Sequence, residues 1–239
     1  MYLAVSWITE RLPTRAQILV AAAALGSYWL LLAMAPLSAE ANLGAVIDQH
    51  VFGRHMLYPL WDPEGLLSTV PAIATALCGV FAGDWLKVHG AAHRAWWLWA
   101  AGAAATALGL LWSRALPINK NLWTSSYALF SAGVAAQVLA ICHWTIDVKK
   151  WSGWSRPFVA FGRNPLAAYF LSVGIDAVLA RWSVGSVSVK AWLYRSAFLS
   201  WLRPCCGSEA AALGYAVAYV ALWGAVVTWM HRRRVFIGI

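Results

Sequence analysis

The chain has 239 residues, of which 62% are hydrophobic and only 11% are charged, and its formal net charge is +9. Soluble domains are about half apolar and about one quarter charged, so the composition excludes a soluble globular protein and predicts an integral membrane protein. Membrane topology and contact with lipid headgroups explain the positive charge better than nucleic-acid binding does, and no nucleic-acid partner is predicted.

Six apolar segments are long enough to cross a bilayer, which requires about 20 apolar residues per helix. The six predicted spans are 16–37, 66–86, 95–113, 124–146, 158–181 and 210–230. The apolar start of the chain, 1–8, is shorter and is interpreted as the end of a partial N-terminal helix. The predicted fold class is all-α, a polytopic transmembrane helical bundle that forms a single transmembrane domain over 1–239.

Several segments depart from a simple pattern of spans. The segment 38–65 is predicted to be a long mixed loop that ends in WDPEG, and Pro71 is predicted to kink the span that follows. Gly, Arg, Asn and Pro at 162–165 indicate a broken helix, which membranes tolerate only where the freed backbone is buried or lines a cavity. The segment 183–203 alternates apolar and basic residues, which predicts an amphipathic helix at the membrane surface.

The placement of basic residues predicts an orientation. If the basic run 231–234 is cytoplasmic, alternation of the spans puts most residues of the short basic loops on the same side. Those residues are Arg11, Arg15, Lys87, Arg94, Lys149, Lys150 and Arg156. The WDPEG loop and the surface helix then lie on the outer face. The prediction is a bacterial inner-membrane protein with a cytoplasmic C-terminus.

The most polar interruption between two spans is PINKNLWTSS, 117–126. Asn119, Lys120 and Asn121 are consecutive, so they cannot form one face of an amphipathic helix. Pro117 suits the start of a turn, and the hydroxyl residues that follow can cap the next helix. Those residues are Thr124, Ser125 and Ser126. We predict a structured polar elbow at a helix start; the alternative is an ordinary membrane-edge loop anchored by its tryptophan.

Titratable side chains in the WDPEG loop are candidates for acid–base chemistry. Asp62 and Glu64 precede a predicted helix start, where the helix dipole favours carboxylates, so they are candidate catalytic groups or simple helix-entry residues. His50 and His55 in the same loop could act as acid or base, or could be solvated surface groups.

Charged groups within a predicted span are costly unless they face a cavity or a partner, so Arg163 and Asp176 are functional candidates. Arg163 lies near the end of its span and could instead extend to the headgroups. The sequence contains no zinc-type CxxC spacing, P-loop or Ser-His-Asp grouping, and no metal site is predicted.

Five landmarks occur in a fixed order along the chain: WDPEGLLST, PINKNLWTSSY, DVKKW, PFVAFGRNPLAAY and the terminal RRRVFIGI. This succession resembles the heparan-alpha-glucosaminide N-acetyltransferase family and its bacterial relatives. The resemblance implies a polytopic membrane acyltransferase that moves the acetyl group of cytosolic acetyl-CoA across the membrane to the amino group of a glucosamine-type sugar.

The resemblance places this chain at the C-terminal portion of such an enzyme, as a truncated form. Family members carry earlier helices with a histidine implicated in acetyl transfer, and none of the six histidines here matches its motif. Arg163 also stands where the family usually has an uncharged residue.

The resemblance implies roles for residues at its landmarks. Asn119, Lys120 and Asn121 would contact the oxyanion or the acceptor, and Asp62 or Glu64 would act on its proton. Residues that would contact acetyl-CoA, whose phosphates require cations, are Trp123, Ser125, Ser126, Lys149, Arg156, Arg163 and Asn164. The expected partners are acetyl-CoA as co-substrate, an amino-sugar acceptor, membrane lipid and a second copy of the chain in a homodimer.

Two other classes stay open. A sugar or cell-wall-precursor permease would also have broken helices and a polar pocket, and would transport without acetyl-CoA. An inactive truncated remnant would bind no acetyl-CoA.

Overall fold

The computed structural model describes residues 1–38, 40–87 and 92–237. These residues are mostly helical, with one hairpin of two short strands. Five helices are long and apolar enough to cross a membrane, or six if a bent pair counts as a broken span. The predicted all-α membrane fold class is confirmed, and the predicted count of six spans requires that bent pair.

The chain divides into two compact units, Met1–Lys150 and Trp151–Ile239, which we describe separately. The helices of the first unit are α1 Tyr2–Arg11, α2 Thr14–Ala33, α3 Leu43–Phe52, α4 Thr69–Lys87, α5 Ala92–Trp112 and α6 Ser125–His143. A 3₁₀ turn, Gly53–His55, follows α3, and a π-helical turn, Trp144–Val148, extends α6. The basic turn predicted after α4 lies in part outside the described residues. The single-domain organisation stays a prediction.

The second unit contains α7 Arg156–Arg163, α8 Pro165–Arg181, α9 Val189–Tyr194 and α10 Ser200–Arg232, with a π-helical turn, Arg195–Leu199, before α10. Its hairpin pairs β1 Ser183–Val184 with β2 Val187–Ser188. The helix axes of α7 and α8 differ by 82° at the break before Pro165, so the predicted broken helix is confirmed. Gly207 interrupts α10 with a φ of 83°.

Two local predictions in the first unit were wrong. The segment 38–65 is not simply a loop, because it contains α3, whose N-cap Asn42 accepts a hydrogen bond from the Ala45 amide at 3.0 Å. Pro71 does not kink α4, because it lies in the first helical turn, where a missing amide removes no internal hydrogen bond.

In the second unit, the amphipathic helix predicted over 183–203 begins later than expected. Its first six residues form the hairpin, and helical structure starts at Val189. The intramembrane charge predicted at Asp176 is paired, because Lys190 on α9 contacts its carboxylate at 2.7 Å. This hydrogen bond raises the pKa of Lys190.

Glycines allow α5 and α6 to pack closely. A Cβ added at Gly133 would lie 2.5 Å from the Thr106 amide nitrogen, and one at Gly102 would lie 2.7 Å from the Gly133 carbonyl oxygen. Gln137 on α6 donates a hydrogen bond of 2.8 Å to the Thr106 hydroxyl. Small residues and interhelical hydrogen bonds of this kind drive helix association in membranes.

Candidate functional site

A polar crevice lies at the end of the first unit where α2 ends and α4 and α6 begin. Its polar lining residues are Tyr28, Asn42, Asp48, Asp62, Ser68 and Asn121. Its volume is about 10 Å³, which is about the space that one water molecule requires. The structure therefore brings together the WDPEG loop and the elbow, two segments that are far apart in the sequence.

The elbow is organised by two side chains that bond to its own backbone. Asn119 Oδ1 accepts hydrogen bonds from the amides of Asn121 at 2.9 Å and Leu122 at 3.4 Å. The Thr124 hydroxyl accepts from the Asn119 amide at 3.1 Å and donates to the Pro117 carbonyl at 3.0 Å. Thr124 also caps α6, so the predicted structured elbow at a helix start is confirmed.

Three side chains fix the elbow to the neighbouring helices. Tyr28 on α2 donates its hydroxyl to the Leu122 carbonyl, and Ser125 donates to the Leu25 carbonyl at 2.7 Å. Trp123 Nε1 donates to the Thr75 hydroxyl on α4 at 3.2 Å. Trp123 has a φ of 49°, which lies in the left-handed region that residues other than glycine rarely adopt, and these three hydrogen bonds hold it there. The elbow is therefore fixed to α2 and α4.

The two serines predicted to contact the cofactor are fully buried. Ser125 bonds to α2, and the Ser126 hydroxyl lies 3.2 Å from the Thr124 hydroxyl. Both hydroxyls thus have protein partners, and contact of Trp123, Ser125 or Ser126 with acetyl-CoA stays a prediction.

The three polar residues of the elbow have different environments. Asn119 is half-buried and does not line the crevice. Lys120 is exposed and does not line the crevice, whereas Asn121 is exposed and forms part of its wall. Among the predicted oxyanion donors, the geometry therefore favours Asn121.

Asp48 on α3 is one of four polar crevice residues that sequence reasoning missed; the others are Tyr28, Asn42 and Ser68. Its side chain is buried, with 2% exposure, and its Oδ1 accepts a hydrogen bond of 2.9 Å from the Leu66 amide. A Cβ at Gly65 would lie 1.9 Å from Asp48 Oδ2, so only glycine allows this approach. The signal in the sequence was an acidic residue after the apolar run LGAVI in the segment preceding WDPEG.

The surroundings of Asp48 shift the pKa of its carboxyl upward. Burial raises the pKa of the Asp48 carboxyl, the Leu66 amide lowers it, and the nearby charge of Asp62 raises it further. Within the described part of the chain, no Lys, Arg or His lies at ion-pair distance from Asp48.

The predicted carboxylates of the WDPEG loop differ in position. Both oxygens of Asp62 accept backbone hydrogen bonds, from Leu57 at 3.0 Å and Glu64 at 2.9 Å, so this residue organises its loop and also lines the crevice. The Glu64 side chain is exposed and lies outside the crevice lining. The two loop histidines, His50 and His55, are exposed as well.

An aromatic pair borders the crevice. Trp61, which forms part of its wall, stacks on Tyr58 with ring centroids 5.0 Å apart and planes 13° apart. Tyr58 is 47% exposed, so the pair presents an aromatic surface to the surroundings.

The predicted cofactor residues beyond the elbow lie in both units. In the first unit, the Lys149 ammonium lies 5.2 Å from the centroid of the Trp144 ring. In the second unit, Arg156 is exposed at the first position of α7, and Arg163 stacks on Phe236 at 5.2 Å. Their contact with acetyl-CoA stays a prediction.

Asn164 has a structural role in the second unit. It is completely buried; its Nδ2 donates to the Val235 carbonyl at 3.2 Å, and its Oδ1 accepts from the Ile237 amide at 2.9 Å. The side-chain amide at the α7–α8 break therefore binds the C-terminal segment, and this pairing satisfies both of its polar atoms.

Comparison with known proteins identifies relatives of the chain. Heparan-alpha-glucosaminide N-acetyltransferase from Homo sapiens is 32% identical over 118 residues, which are 46% of this chain and 18% of the human protein. The chain resembles heparan-alpha-glucosaminide N-acetyltransferases. The Mus musculus protein of the same name is 33% identical over 118 residues, with the same coverage of 46% and 18%. No protein-family model matches the chain.

This resemblance confirms the relationship predicted from the ordered landmarks. The match spans about 18% of the length of these heparan-alpha-glucosaminide N-acetyltransferases, so it covers a small part of each relative. The apolar helices are those of a membrane protein, and the polar crevice is a small site at one end of its first unit.

Proposed function

We propose that this chain forms part of a membrane N-acyltransferase that moves the acetyl group of acetyl-CoA to the amino group of an amino sugar. The observation that supports the proposal is the polar crevice, in which Asp48, Asp62 and Asn121 come together from three separate segments. The resemblance to heparan-alpha-glucosaminide N-acetyltransferases supplies the reaction class.

The reaction requires two functions from the protein. The amine nitrogen attacks the thioester carbonyl, a C–N bond forms, the C–S bond breaks, and coenzyme A leaves as a thiol. A protonated amine must lose a proton before it attacks, so a base is needed close to the nitrogen. The tetrahedral intermediate carries a negative oxygen, so hydrogen-bond donors are needed on the other side of the reacting carbon.

Asn121 supplies the second function in this proposal. Its side-chain amide is exposed in the wall of the crevice, and the turn built on Asn119 fixes its backbone. A donor that the fold positions in advance needs no reorganisation as charge develops on the oxygen. Lys120, exposed beside it, is the second donor candidate.

The proposed arrangement across the membrane follows from the charge distribution. The crevice faces the outer side of a bacterial inner membrane, and the basic loops and the C-terminus face the cytoplasm, where acetyl-CoA is available. Lys149, Arg156 and Arg163 are the candidate partners for the cofactor's phosphates.

Acetyl transfer by the purified chain tests the proposal. The chain in lipid nanodiscs is incubated with saturating acetyl-CoA and glucosamine, and N-acetylglucosamine is measured by mass spectrometry. We expect product above the uncatalysed background, and Asn121→Ala should lower turnover by about two to three orders of magnitude, as loss of one oxyanion donor does.

Two controls define the result. N-acetylglucosamine, which lacks a free amine, should accept no acetyl group, and the variant should retain the wild-type unfolding temperature. Absence of transfer by wild-type protein would overturn the proposed function. Normal turnover of a folded Asn121→Ala variant would instead remove only this residue from the chemistry.

A further inference from the structure

The carboxylate of Asp48 lines the crevice and has no cationic partner among the described residues. The carboxylate is 2% exposed, and of its two oxygens only Oδ1 accepts a hydrogen bond from a described residue, the Leu66 amide. An ionised carboxylate removed from water is costly unless a cation or further donors approach it. No described cationic side chain does so, and the carboxylate is therefore open to a cation from outside the protein.

The size of the crevice restricts that group. A volume of about 10 Å³ admits a single water-sized group, which is the size of an ammonium nitrogen, and excludes a sugar ring. The ring of an amino sugar would therefore stay at the mouth. Trp61 lies there with Tyr58 stacked on it, and the electron-rich face of an aromatic ring suits the C–H groups of a pyranose.

We propose that Asp48 binds the ammonium group of the acceptor sugar inside the crevice and takes its proton, while the sugar ring packs on Trp61. This inference rests on the proposed function and assigns the base that the function requires. The ammonium transfers one proton to Asp48 and becomes a neutral amine. At the mouth of the crevice, beside the exposed Asn121, the amine nitrogen attacks the acetyl carbon, the C–S bond breaks, and the second nitrogen proton leaves with the sulfur as thiol. Asp48 then releases its proton to solvent.

Other carboxylates fit this role less well. Both oxygens of Asp62 already accept backbone hydrogen bonds, and Glu64 is exposed outside the crevice. Burial also gives Asp48 a raised pKa, and a carboxyl with a higher pKa is a stronger base toward an amine.

A binding experiment separates this inference from the acyltransferase proposal. The full chain in nanodiscs is titrated with glucosamine and with N-acetylglucosamine, which has the same ring but no cationic amine. We expect wild-type protein to bind glucosamine more tightly than N-acetylglucosamine. Asp48→Asn preserves the acceptor for the Leu66 amide, and we expect it to lower the ratio of the two affinities by about tenfold or more. Asp84→Asn, at an exposed aspartate paired with Lys87, is the matched control and should retain it.

The pH dependence provides a readout that a structural role would not change. As the pH falls through the raised pKa of Asp48, the carboxyl becomes neutral, so the preference should disappear at a higher pH than for an ordinary aspartate. Tyr28 from α2 and Asp62 from the loop also face this carboxylate. The pH dependence of the binding preference is therefore also measured for Tyr28→Phe and Asp62→Asn, which separates the contributions of these two groups. In Asp48→Asn the acid step should be absent.

Each outcome decides a different question. If wild-type protein has no preference, or if Asp48→Asn keeps it, the inference is overturned. If the preference depends on Asp48 but wild-type protein transfers no acetyl group, the amine site stands and the acyltransferase proposal fails. If transfer occurs and Asp48→Asn transfers normally, the proposed function stands without this base.

Discussion

Single buried polar residues in this chain connect segments that are far apart in the sequence. Asp48 binds the backbone of Leu66, 18 residues away, and Asn164 binds the C-terminal segment more than 70 residues away. A buried polar atom must find a partner, so each of these side chains fixes one arrangement of its segment.

Asn164 gives a prediction at the residue scale. Asn164→Leu removes both hydrogen bonds and leaves the Val235 carbonyl and the Ile237 amide without their partner. A hydrogen bond typically contributes about 0.5–1.5 kcal/mol to stability, so thermal unfolding of the purified variant should occur at a lower temperature. Release of the C-terminal segment should also increase its cleavage by carboxypeptidase.

The exposed Gln49 provides the control for this prediction, because Gln49→Leu removes a side-chain amide outside the second unit. Its carboxypeptidase cleavage should match wild type. Unchanged cleavage of Asn164→Leu would show that the C-terminal segment is held by apolar contacts, such as those of Phe236.

At the scale of elements, the close packing of α5 on α6 determines where the elbow begins. The elbow connects the end of α5 to the start of α6, and glycines at 102, 109 and 133 bring the two backbones together. Because lipid provides no hydrophobic drive between helices, this close contact and the Gln137–Thr106 hydrogen bond supply the association.

Gly133 gives the prediction at this scale. Gly133→Ala places a methyl group 2.5 Å from the Thr106 amide nitrogen, so the helices must separate, which typically costs about 1–3 kcal/mol. Gly79→Ala on α4 is the matched control, because a Cβ there meets no atom within 4 Å. Alanine is also the better helix former, so the control should be neutral or slightly stabilising.

Thermal unfolding of both alanine variants in the same detergent measures the difference. Equal unfolding temperatures for Gly133→Ala and Gly79→Ala would show that α5 and α6 can move apart without a loss in the free energy of unfolding. A displaced α6 should also weaken glucosamine binding, since the elbow that carries Asn121 precedes this helix directly.

At the scale of the whole molecule, the exposed large apolar side chains on the long helices suit contact with lipid, and the polar groups concentrate at helix ends. Trp96, Leu110 and Val220 are more than half exposed or close to it, as expected for residues that face hydrocarbon. Five helices are long and apolar enough to cross a bilayer, and the crevice lies at the ends of helices of the first unit.

Cysteine labelling tests the predicted orientation. Asn121→Cys, in a background in which the four natural cysteines are replaced, is treated with a membrane-impermeant maleimide in cells with a permeabilised outer membrane. We expect labelling in intact spheroplasts, because the positive-inside rule puts Asn121 outside. A cysteine in place of Arg233, at the C-terminal end of α10, should react only after lysis. The reverse pattern would invert the orientation.

The amino-acid sequence alone determined the features that depend on composition and on neighbouring residues. Apolar runs of bilayer length predicted the spans, and the order of proline, polar and hydroxyl residues in 117–126 predicted the elbow and the cap at Thr124. These features depend on contacts within a few residues, which local chemistry specifies. The ordered landmarks also predicted the resemblance that the comparisons confirm.

Only the tertiary structure decided which polar residues share a site. Asp48 lines the crevice because Gly65 leaves room for its carboxylate. The side chain of Asn164 is hydrogen-bonded because the C-terminal segment packs against it. Neither contact is visible in local sequence patterns, since both join segments that meet only after the helices pack. Burial depends on such distant neighbours, and the burial of Asp48 beside the crevice is one of the observations from which we infer its role.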